Sequence, residues 1–158
     1  MANTQAMTTS FMGELLTGTH NFGTAPIRAA TTADTFKAAL YLTSATINAA
    51  TTAYSATNEV SGTGYTAGGV VVTNATAPLA TNSSATAGVA YWTPSASITY
   101  TTVTLTTAFD TVLIYNSTQS NKSVSVHTFG SQTITAGTFT LTMPSNTTST
   151  ALLRLATT

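Results

Sequence analysis

The sequence predicts an all-β protein: a β-sandwich or jelly-roll-like body of 7–8 short antiparallel strands, preceded by an N-terminal arm with one short helix. Three observations carry this. About a quarter of the chain is threonine, whose β-branch suits a pleated strand and whose hydroxyl wets its outer face without charge. Runs of β-branched and aromatic residues recur at short spacing, separated by Asn, Ser, Gly and Pro. Helical apolar spacing is confined to one short stretch near the start.

Four basic and four acidic residues in 158, or 5% charged, fall far below the roughly 25–35% that normally keeps soluble surfaces apart. Such a surface is suited to assembly. The length fits one body that buries roughly two thirds of its unfolded surface.

Residues 1–35 read as an arm. Phe11, Met12, Leu15 and Leu16 share one helical face, with Thr8 or Ser10 as N-cap and Gly18 as stop, giving a helix over about 9–17. Two turns do not persist alone in water, so this face must dock, either on the chain's own core or on a neighbour. On the second reading Phe11, Met12, Leu15, Leu16 and Phe22 are anchors between subunits. Residues 20–35 form an extended connector broken by Gly23 and Pro26.

The sandwich domain occupies 36–158. Phe36, Ala38, Leu40 and Leu42 alternate with Lys37, Ala39 and Tyr41, which predicts a strand, with a helix capped by Asp34 as the competitor. Gly62, Gly64, Gly68 and Gly69 around Tyr65 require a loop, and Glu59 just before it can accept backbone N–H groups and pin it. Strands follow over 70–76, 88–92, 97–106, 111–116, 123–129, 138–143 and 151–156. The apolar phase slips by one residue near Thr101, the mark of a bulge, and Ala136 with Gly137 predicts a tight hairpin. Threonine protects sheet edges poorly, where soluble proteins usually guard them with lysine or proline, so another chain is expected to occupy those edges.

Composition excludes several functions. No apolar run approaches the ~20 residues of a membrane helix, and residues 1–10 lack a secretory pattern, so synthesis in a cytoplasm is expected. Zero cysteines remove disulfides, thiol catalysis and Cys-based zinc. Zero net charge without a basic cluster disfavours nucleic acid.

His20 and His127 fall in no metal or hydrolase motif, and His127 is read on the strand face opposite Val124 and Val126. Glu14, Asp34, Glu59 and Asp110 are scattered, so no glycosidase pair is expected. A triad drawn from Asp110, His127 and a serine carries no information in so serine-rich a chain. The glycine-rich loop lacks the Lys and Ser/Thr of a phosphate-binding loop. Sequons at Asn74, Asn82, Asn116, Asn121 and Asn146 are expected by chance. Pairs at Thr102 and Thr104, Thr133 and Thr135, and Thr138 and Thr140 are too unequally spaced for a stacked ice-binding array. The reading is a non-enzyme without cofactor or metal.

Three stretches, 54–69 with its glycine-rich segment, 109–116, and 127–130 followed by 137–141, together resemble small virion structural proteins of tailed bacteriophages. The similarity spans about 34–143, and the glycine-rich segment is its most specific part. It implies a cement or decoration protein in the virion, stabilising the head by bridging the major capsid protein and associating with itself as a dimer or trimer. The alternatives are a tail or neck component, or a host-receptor-binding module with an exposed aromatic patch at Tyr91 and Trp92.

Overall fold

The computed structural model describes residues 3–8, 11, 15, 19, 20, 22, 33–73, 78–80 and 89–156. Among the described residues, eight strands form two antiparallel sheets: β1 (Ala6–Met7), β2 (Phe36–Leu42), β3 (Val70–Val71), β4 (Leu79–Ala80), β5 (Val89–Trp92), β6 (Ile98–Asn116), β7 (Lys122–Leu141) and β8 (Leu153–Ala156). The larger sheet runs β1-β7-β6-β2-β3 and the smaller β4-β5-β8; neither closes into a barrel. No helix among the described residues is long and apolar enough to cross a membrane. The expected helix over about 9–17 lies largely outside the described residues.

Residues 36–42 form a strand, as their alternation requires. Phe36, Ala38 and Leu40 enter a core shared with Trp92 and Leu153 of the small sheet, while Ala39 and Tyr41 face a second cluster with Ala45, Ile47, Leu113 and Tyr115. The large sheet is thus covered on both faces at β2, by the small sheet on one side and by Ala45, Ile47 and Tyr54 on the other.

Four expected strands merge into two. The stretches at 97–106 and 111–116 are one strand, β6, and those at 123–129 and 138–143 are one strand, β7. The hairpin expected at Ala136 and Gly137 is not formed. Gly137 pairs with Val103 and Ala136 adopts φ 46°, so the pair makes a bulge inside β7, while the chain reverses between Asn116 and Lys122 with Ser120 and Asn121 at positive φ. A glycine inside an alternating run marks a bulge as well as it marks a turn. The slip near Thr101 is present: the register shifts between Tyr100 and Val103, and Thr102 takes φ 53°.

The irregularities along this hairpin cancel. From Ile98 to Thr111 and from Thr128 to Leu141 each strand advances thirteen positions, so extra residues on one side are matched by extra residues on the other. A further shift between Ile114 and Tyr115 turns Val124 and Val126 to opposite faces. His127, paired with Val112, therefore shares the face of Val124 rather than opposing both valines.

Candidate functional site

Glu59 gathers the glycine-rich loop. One carboxylate oxygen accepts the Tyr65 hydroxyl at 2.7 Å and the Gly68 amide at 2.8 Å, and the other accepts the Tyr54 hydroxyl at 2.7 Å. Tyr115 donates to the Gly68 carbonyl at 2.8 Å and Tyr100 to the Ala38 carbonyl at 2.8 Å. The rings pair as well, Tyr54 on Tyr115 at 4.7 Å and Tyr65 on Tyr100 at 5.9 Å. Burial first, then the Glu59 charge, raises the hydroxyls of Tyr65, Tyr100 and Tyr115, the last to about 12. These tyrosines stay protonated and act as donors.

The loop itself lies against the sheet. Gly69 has φ 72°, and a Cβ there would collide with the Ala38 carbonyl. Gly62 and Gly64 pass equally close to the β6 carbonyls of Thr104 and Thr102, where Thr63 bridges Thr104. The clamp therefore holds the distal half of β6 on its β2 side.

A second polar cluster was not foreseen. Asn116 Nδ2 donates to Asp34 at 2.7 Å and faces His20 Nδ1 at 3.1 Å, while its Oδ1 accepts the amides of Thr118 and Gln119 at 3.1 Å each. Gln119 reaches the other Asp34 oxygen at 3.2 Å. Both carboxylate oxygens and both amide atoms are thus engaged within the chain, which ties the β6–β7 turn to the start of β2. Asn116 is fully buried, so its sequon is closed to modification in the folded chain.

Phe11 and Phe22, which the sequence leaves between docking on the chain's own core and anchoring a neighbour, lie in the chain's own core at 2% and 7% exposure. Phe22 stacks on Phe36 at 4.4 Å and meets Trp92 edge-on at 4.8 Å, and Phe11 meets Phe22 at 5.9 Å. Leu15 packs partly buried against the same core, and Met12 and Leu16 lie outside the described residues. The physical reason is that Phe11, Leu15 and Phe22 find apolar partners in cis, in the core that holds Phe36 and Trp92. Trp92 is likewise buried at 2%, so the aromatic patch expected with Tyr91 is not exposed.

Among the described residues, no three His, Cys, Asp or Glu groups gather to hold a metal. An apolar pocket of about 90 Å³ is lined by Met7, Phe11, Leu15, Phe22, Trp92 and Leu155. Another of about 180 Å³ lies beside His127, with Ile98, Val112, Phe129, Leu141 and Met143. Burial pushes the His127 imidazole down to about 4, and its Nε2 lies 2.9 Å from the Ser125 hydroxyl.

The distal half of the β6–β7 hairpin has two unlike sides. Tyr100, Val103, Leu105, Ile134 and Phe139 turn inward, whereas Thr133, Thr135, Thr138 and Thr140 are exposed, and Thr140 meets Thr99 across the strands at 3.4 Å. The outer edge of β7 is paired by β1 only at Ser125 and Val126. From Thr128 to Leu141 no described residue pairs with that edge, and these fourteen residues contain no charge and no proline.

No family model, curated protein or solved structure matches the chain.

Proposed function

We propose that this chain is a non-enzymatic structural protein of a tailed-phage virion, a cement or decoration protein that bridges the major capsid protein. The observation that carries the reading is the long hairpin with an uncharged, hydroxyl-covered outer face and an edge that no described residue pairs from Thr128 to Leu141. Soluble proteins that act alone protect such edges with lysine, proline or a covering element, whereas a lattice subunit can complete them with a neighbour. The composition and the resemblance of 54–69, 109–116, and 127–130 followed by 137–141 to phage virion proteins point the same way.

With Phe11 and Phe22 buried in the chain's own core, this reading puts the bridging surface on the hairpin. The contacts then are hydroxyl and backbone hydrogen bonds with apolar area, none of which depends on ion pairing.

Antibody labelling of particles from the phage whose genome encodes the chain tests this proposal. Label over the whole head supports cement or decoration, label at the neck or tail tip moves the protein to the alternative posts, and unlabelled particles overturn the virion reading.

A further inference from the structure

We propose that the outer edge of β7, from Thr128 to Leu141, pairs antiparallel with the same edge of a second copy of this chain, joining two five-stranded sheets into one across a two-fold axis. The inference extends the assembly reading to a named surface and partner, but it stands on the hairpin geometry alone.

Three observations select a second copy as the occupant. First, the edge is electrically neutral over fourteen residues, so two identical edges meet without like-charge repulsion, and nothing on it would recruit an acidic or basic peptide. Second, the compensated bulges keep β7 in step with β6, and they return Thr133, Thr135, Thr138 and Thr140 to one outward face. An antiparallel copy would place a threonine face beside a threonine face, the pairing the hairpin already makes between Thr99 and Thr140 at 3.4 Å. An isologous contact requires such self-complementarity.

Third, the edge leaves room at Gly130. This glycine lies in the irregular stretch between Thr128 and Gln132 where the β6–β7 register shifts, its φ is not positive, and a Cβ built on it meets nothing within 4 Å among the described residues. A neighbouring backbone can approach there without displacing a side chain.

Sedimentation velocity of the full chain over a concentration series tests the pairing, with Thr133→Lys/Thr135→Lys and Gly130→Val as variants. The lysines sit on exposed side-chain positions and guard the edge, and valine at 130 fills the space left for the partner backbone. The wild-type chain is expected to be a dimer and both variants monomers, with dissociation constants raised at least about tenfold and unfolding midpoints matching the wild type at equal monomer concentration. A monomeric wild type, a trimer or larger ring, or a dimer of undiminished affinity in both variants overturns the proposal. Should the lysine variant fail to fold, the valine variant decides alone. A monomer in solution would leave the particle-labelling result untouched, and unlabelled particles would leave the dimer standing.

Discussion

Tyr65 gives its hydroxyl proton to Glu59 at 2.7 Å while the same oxygen accepts the Leu40 amide at 3.1 Å, so a single side chain fastens the glycine-rich loop to the central strand β2. Hydrogen bonds to a charged group contribute roughly 1.5–3 kcal/mol each, and Glu59 makes three. Replacing Glu59 by Ala leaves the Tyr54 and Tyr65 hydroxyls and the Gly68 amide to find water in a partly buried site. The expected loss is about 3 kcal/mol, and Glu59→Gln, which keeps one acceptor oxygen, is expected to lose about half of that. Urea unfolding of the three proteins measures both; equal stability would remove Glu59 from the clamp.

Gly69 and Gly130 make opposite predictions. Gly69→Ala meets both a positive φ and the Ala38 carbonyl, and it should cost about 3 kcal/mol or more. Gly130→Ala meets open space, so its effect on the unfolding free energy of the monomer should stay within about 0.5 kcal/mol. Comparable losses at the two positions would contradict the packing described for the loop.

Phe22→Ala separates the two docking modes of the N-terminal segment. Because Phe22 stacks on Phe36 and abuts Trp92, its truncation should destabilise the monomer by about 3 kcal/mol, read by thermal or urea unfolding at low concentration. An anchor on a neighbour would instead lower assembly and leave monomer stability unchanged.

Acid should weaken the fold through His127. Its folded value, about 4, lies below the unfolded 6.5, so on acidification the unfolded chain takes up the proton first. This contribution is complete above about 6.5 and is lost as pH falls to about 4, a decline of up to about 3 kcal/mol. His127→Gln should flatten the pH profile of stability in that window; an unchanged slope would assign the acid sensitivity elsewhere.

Salt should matter little to assembly. Eight charged residues in 158 leave few ion pairs to screen, so molar NaCl should neither dissociate the self-associated form nor strip the protein from a particle. Co-sedimentation at low and molar NaCl measures this, and release at high salt would contradict contacts built from hydroxyls and backbone.

The β class and the strand at Phe36 were legible because alternation reports directly on which side chains a sheet buries. The bulge near Thr101 was legible for the same reason, since a slip in phase survives in the sequence. Strand length was not. Gly130, Ala136 and Gly137 punctuate β7 as turn residues would, and only long-range pairing with β6 tells a bulge from a reversal. Glu59 was visible as a carboxylate beside glycines, yet the tyrosines around it arrive from β6 and from 54 and 65, separations that periodicity does not encode. The choice between cis and trans docking of Phe11 and Phe22 likewise depended on an apolar site that exists only after the two sheets have met.

Backbone amide hydrogen exchange, compared between the dilute and the associated protein, tests most directly whether the hairpin rather than the arm joins copies of this chain. New protection confined to residues 128–141, with exchange around Phe11 and Phe22 unchanged between the two states, is the predicted result. Protection gained in the N-terminal segment while 128–141 exchanges freely in both states would contradict it.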